Sequence, residues 1–92
     1  MPRRGIDQEA KKLFIETLAQ IVEEEKIEQF LSDLFSSSEV KDHSRRLLAA
    51  KFLTEGKTYE EINLVMGMSP GTINKIHFKT KGSRLINELF AQ

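Results

Sequence analysis

The segment from Thr58 to Phe78, TYEEINLVMGMSPGTINKIHF, constrains the fold more than any other part of the chain. It reads as two short helices turned into a corner by one glycine. Thr58 stands where an N-cap belongs: its hydroxyl can accept from the amide three residues on, and Glu61 can reach back to the Thr58 amide, completing a capping box. Tyr59, Ile62 and Met66 then recur at helical spacing and are expected to face a core. Gly67 falls where the chain must turn sharply and, having no Cβ, takes positive φ without steric cost. Met68 is expected to pack back into the corner. Ser69 caps a second helix, with Pro70 in its first turn, where a missing N–H is no loss. Ile73 and Ile76 anchor that helix inward, which leaves Pro70, Gly71, Asn74, Lys75 and Phe78 pointing out.

This is the layout of a helix-turn-helix nucleic-acid reader. Capped helix pairs around a glycine also occur in all-α proteins that bind no DNA, so the outward chemistry has to decide. Asn74 and Lys75 can pair with base edges in a major groove. Ser69, Pro70, Gly71 and Thr72 bring the start of the helix, with its amide donors and dipole, against a phosphate backbone. Lys57, Thr58, Lys79 and Lys81 are candidates for phosphate contacts, which position a protein without reading sequence.

Net charge is zero, which by itself argues against a nucleic-acid binder, but the signs separate along the chain. The first 34 residues hold eight carboxylates against five bases. Between Glu61 and Glu88 there is no acidic residue, while Lys75, Lys79, Lys81 and Arg84 all fall in that gap. A basic surface can therefore exist on a neutral protein. The other reading, an ordinary solvated face, stays open.

Ninety-two residues suit one small domain close to the size at which a single core is marginal. There is no cysteine, hence no disulfide or thiolate metal site, and the two histidines, His43 and His77, have no metal-ligand spacing. The start, MPRRGIDQEAKK, lacks the apolar stretch of a secretory signal, and no apolar run approaches the ~18 residues of a membrane span. A soluble cytoplasmic protein is expected.

No segment alternates apolar and polar residues as a strand would. From Asp7 as cap, Ala10, Leu13, Phe14, Leu18, Ile21 and Val22 mark one face of a first helix, which runs into the solvated EEEK at Glu23 to Lys26. Ile27, Phe30, Leu31, Leu34 and Phe35 mark a second. Ser36, with Glu39 three residues on, opens a third that turns Val40, Leu47, Ala50 and Leu53 inward and stops near Gly56. After the reader pair, a last helix capped near Ser83 carries Leu85, Ile86, Leu89 and Phe90. The expected fold is all-α, with six helices. Phe14, Phe30, Phe35, Phe52 and Phe90 all lie outside the reader pair, more apolar bulk than short helices can bury on one another. A second copy of the chain supplies the missing side most simply, and two-fold symmetry would suit a palindromic site with half-sites about one helical turn apart. A tight six-helix monomer is the alternative.

The stretch SSSEVKDHSRRLLAAKFLTEGKTYEEINLVMGMSPGTINKIHFKTKGS, Ser36 to Ser83, resembles the Trp repressor family. It is most similar to the Trp repressor-like branch, whose members carry a comparable RL..AK.L.EGKTYEEI run, here Arg46-Leu47, Ala50-Lys51, Leu53 and Glu55 to Ile62. With the acidic first helices and the final amphipathic helix, the likeness covers nearly the whole chain. It implies one Trp repressor-like DNA-binding domain over residues 1–92, an intertwined homodimer in which 1–57 and 83–92 form the dimerisation core and 58–82 the reader. It also implies a small-molecule co-repressor site. Arg46 stands at the family's first tryptophan-clamping arginine, and Ser36 and Thr72 at its threonine positions near the ligand. Lys75 replaces the second arginine and lacks the planar guanidinium that stacks on an indole. Ile76 replaces a glycine beside the ligand and would crowd it. Tryptophan is therefore disfavoured, another small ligand stays open, and no cofactor is expected. Arg46, together with Arg45, can equally lie on the helix surface or meet phosphate. Glu60 stands where the family has a DNA-reaching arginine, so a different operator is expected.

The sequence thus points to a sequence-specific DNA-binding transcriptional regulator, a repressor, acting as a homodimer on double-stranded DNA. The alternative is a dimerising protein-interaction adaptor that no longer reads DNA, which zero net charge and Glu60 favour. An enzyme is not expected: there is no His beside a nucleophile and no paired carboxylates in a glycine-lined cleft. The replication initiator's terminal domain shares a related helical layout, but its characteristic loop sequence is absent.

Overall fold

Apolar residues at helical period, punctuated by Ser, Thr and Gly, leave the backbone one regular way to satisfy its amides. The computed structural model describes residues 1–91. Among the described residues there are six helices and no strand: α1 (Ile6–Gln20), α2 (Glu24–Leu34), α3 (Ser37–Thr54), α4 (Tyr59–Met66), α5 (Pro70–Thr80) and α6 (Arg84–Leu89). The chain forms two compact units, Met1–Ser37 and Ser38–Gln92.

The first unit holds α1 and α2. Phe14 joins them, with its ring edge-on to Phe30 (centroids 6.2 Å apart, planes at 63°) and to Phe35 (5.9 Å, 75°), the arrangement that aromatic quadrupoles favour. No residue of either helix is buried. The apolar stripe expected to face a core lies largely in the open: Leu13, Leu18, Val22 and Leu34 are all exposed, Val22 at 87 %. The first helix also begins two residues before its expected start, which took Asp7 as the cap. Gly5 is the N-cap, and Asp7 falls in the first turn, where its charge still suits the helix dipole.

The second unit contains the core. Ala49, Ala50, Ile62, Met66, Met68, Ile73 and Ile76 are buried together, with Phe52, Leu53 and Tyr59 packed against them. Two alanines on α3 share this core with the isoleucines of the reader pair, which are its largest fully buried side chains; Ile62 is 1 % exposed and Ile73 0 %. Leu47, expected inward, is half exposed, whereas Ala49 is fully buried. The cause lies in the helix itself. Its apolar residues fall on two sides, with Ala49, Ala50 and Leu53 turned to the core and Leu47 and Leu48 turned away, so no single stripe describes it. The helix ends in a Schellman turn: Gly56 has φ +84°, its amide donates to Leu53 O at 3.1 Å, and the Lys57 amide donates to Phe52 O at 3.0 Å. Ser83 caps α6 by accepting from the Ile86 amide at 3.1 Å. Among the described residues no helix is long and apolar enough to cross a membrane.

Candidate nucleic-acid interface

The corner between α4 and α5 is held from both ends and from its middle. At the start of α4 the capping box is complete: Thr58 Oγ1 accepts from the Glu61 amide at 3.1 Å, and Glu61 Oε1 accepts from the Thr58 amide at 3.0 Å. Those hydrogen bonds favour the ionised carboxylate, so Glu61 titrates below the usual carboxylate range, chiefly through the Thr58 backbone donor. At the corner, Gly67 has φ +66°, and its amide donates to Asn63 O at 2.8 Å. Two side chains lock the carbonyls that flank it. Asn63 Nδ2 donates to Met68 O at 2.8 Å, and the Arg45 guanidinium donates to Met66 O from α3. The α5 end is fixed by Ser69, whose Oγ accepts from the Thr72 amide at 3.2 Å and donates to Thr72 Oγ1 at 3.0 Å, with Pro70 in the first turn.

Between these fixed points α5 has two unlike faces. Ile73 and Ile76 are pinned in the core, while Ser69, Pro70, Gly71, Thr72, Asn74, Lys75, Phe78 and Lys79 are exposed. No carboxylate lies on the helix, and its last turn carries His77 and Lys79, which suits the negative end of its dipole. Lys81 follows as the C-cap, its ammonium 5.6 Å from the centre of the Phe78 ring, within cation–π range. Lys57 and Thr58, exposed just before α4, stand on the same unit as this helix.

Three of the four residues expected near a small ligand come together. Arg46, Thr72 and Lys75, with Ile76, Lys79 and Thr80, line a cleft of about 370 Å³ between α3 and α5. Ile76 is 5 % exposed and forms part of its wall. Ser36 belongs to the first unit and is not part of that lining.

Tyr59 does more than the core-facing role its helical spacing predicts. Its ring does pack inward, but its hydroxyl reaches the reader helix, donating to Asn74 Oδ1 at 3.2 Å and lying 2.8 Å from His77 Nδ1. Arg45, expected on the helix surface or against phosphate, instead braces the corner through Met66 O, as Asn63 does through Met68 O. Their signal in the sequence is weak, since each acts on a backbone carbonyl brought near only by the turn.

A family model described as Trp repressor protein matches residues 9–89, and the chain belongs to that family. No curated protein and no solved structure gives a significant match. Membership makes the helix-turn-helix a DNA-binding element of regulatory type, and the family is not an enzymatic one.

Proposed function

We propose that this Trp repressor family chain is a sequence-specific transcriptional repressor of the Trp repressor-like branch, binding a palindromic operator as a homodimer and blocking promoter access. The observation that carries this is the exposed face of α5, free of carboxylates and presented by a helix whose other face is locked in the core. Residues 58–82 are the reader. Asn74 and Lys75 read base edges, each worth about 1–3 kcal/mol of discrimination when well placed. Ser69, Pro70, Gly71 and Thr72 seat the start of the helix on the backbone, and Lys57, Thr58, Lys79 and Lys81 contact phosphates. The homodimer is supported by the apolar surface left open on one chain: Leu13, Leu34, Leu47, Leu85 and Leu89 are each at least half exposed. Residues 1–57 and 83–92 form its core, within a single domain spanning 1–92 that works in the cytoplasm. Arg46, Thr72 and Lys75 offer a small effector a cationic cleft, with Ser36 as the further candidate. Lys75 and Ile76 make tryptophan a poor fit, and no other cofactor is needed.

One observation favours a protein-interaction adaptor instead. Glu60, in the first turn of α4, is exposed and would meet phosphate with like charge. The experiment that separates the two is a selection from random duplex DNA at moderate salt, with the Asn74→Ala/Lys75→Ala double variant as control. A two-fold-symmetric consensus that the variant loses supports the repressor. No enrichment, with or without a panel of amino acids, moves the assignment to the adaptor. Affinity for a selected site should fall steeply as salt rises, because phosphate contacts release counterions.

A further inference from the structure

We infer that Tyr59 determines which base Asn74 reads. The inference rests on α5 being the recognition helix, and it concerns a residue outside that helix. The Tyr59 hydroxyl has one hydrogen, and it goes to Asn74 Oδ1, 3.2 Å away. In the tautomer that carries the imidazole proton on Nδ1, the 2.8 Å contact of His77 with the same hydroxyl complements that donation. The three side chains then form one directional chain, His77 Nδ1–H to Tyr59 O–H to Asn74 Oδ1. Its middle member is well held, because the Tyr59 ring is half buried against the core and meets the His77 ring edge-on, centroids 5.8 Å apart with planes at 74°.

A solvent-exposed asparagine turns readily between its two amide orientations, since its terminal torsion is broad. Here the hydroxyl fixes the choice. With Oδ1 engaged by Tyr59, the Nδ2 amine is the end turned toward a base. Asn74 then offers two unengaged donors and an acceptor already shared with the Tyr59 hydroxyl, which holds one of its two lone pairs. Guanine shows two acceptors in the major groove, N7 and O6, and suits such a group. Adenine shows an acceptor and a donor, N7 and the N6 amine, and needs Oδ1 as well. The bound tyrosine thus competes with adenine for Oδ1 and tilts Asn74 toward guanine. Tyr59 acts as a positioning residue, through Asn74.

Tyr59→Phe keeps the ring and its packing and removes only the hydroxyl. Wild type, Tyr59→Phe, Asn74→Ala and the double variant are each put through selection from the same duplex pool at one salt concentration. Asn74→Ala identifies the position that Asn74 reads, as the one where preference disappears. At that position wild type should select guanine, and Tyr59→Phe should shift the guanine-to-adenine ratio toward adenine by about tenfold, the scale of one well-placed base contact. In the Asn74→Ala background, Tyr59→Phe should leave the ratio unchanged. A Tyr59→Phe protein that melts lower or binds all sites more weakly with an unaltered ratio overturns the inference and leaves the DNA assignment standing. So does an equal shift in the Asn74→Ala background. A wild type that enriches no sequence overturns the DNA assignment, and this inference with it.

Discussion

Replacing a glycine by alanine should have opposite signs at two positions only four residues apart. At Gly67 an added Cβ would meet nothing within 4 Å, so crowding contributes nothing to the cost. What remains is the backbone: φ is +66°, a left-handed conformation that costs an L-residue about 1–2 kcal/mol. At Gly71 an added Cβ also meets nothing within 4 Å, but the residue lies in the first turn of α5 with ordinary helical φ. Alanine exceeds glycine by up to about 1 kcal/mol in a helix interior, and in a first turn, where fewer bonds are fixed, roughly half of that is expected. Gly67→Ala should therefore lower stability by about 1 kcal/mol or somewhat more, and Gly71→Ala should raise it by about 0.5 kcal/mol. For a domain of this size, 1 kcal/mol moves Tm by roughly 4–8 °C, so the two variants should melt about 10 °C apart. Thermal unfolding followed by circular dichroism is the assay, at one fixed protomer concentration because association would make Tm concentration-dependent. Equal melting temperatures, or a Gly71→Ala protein less stable than wild type, would refute the reasoning from φ and open space.

The cap and the phosphate contacts give two further tests. Thr58→Ala removes the acceptor for the Glu61 amide and should cost about 1 kcal/mol in chemical denaturation. Glu61 adds a pH signature. Its folded pKa is depressed, so its contribution is complete above the unfolded value of 4.5 and is lost as pH falls through the lower folded value; Glu61→Gln should flatten that acid limb of a stability–pH curve. Lys79→Ala should weaken binding to all selected sites alike and reduce the salt slope by about one unit, with base preferences unmoved, as measured by titration across salt concentrations.

How much of this could be read beforehand depended on how local each signal was. The capping box at Thr58 and Glu61, the turn at Gly67 and the cap at Ser69 are written within a few residues of one another, and each takes its expected place in the structure. So do Ile62, Ile73 and Ile76, because a short amphipathic helix has one apolar side to hide. Leu47 carries no such local signal. Its helix is apolar on two sides, and only the position of α4 and α5 decides which one is covered. Tyr59 is a different case. Its spacing reports where the ring goes and is silent about the hydroxyl, whose partners Asn74 and His77 lie 15 and 18 residues away and meet it only once the corner has formed. The cleft lining of Arg46, Thr72 and Lys75 joins two helices separated by the reader's first helix, a juxtaposition that periodicity alone does not contain.

The two methionines that flank Gly67 give the corner a chemical clock. Met66 and Met68 are 8 % and 9 % exposed, whereas Met1 stands fully in solvent. A mild oxidant adds oxygen to a thioether it can reach, and the sulfoxide is polar where the thioether was apolar. Met1 should take the first oxygen quickly. The two corner sulfurs can follow only when the turn opens, and once oxidised they cannot return to the core without burying a new dipole. The rate of the later additions is therefore a measure of how often the reader pair comes apart, and the corner, once oxidised, stays sprung.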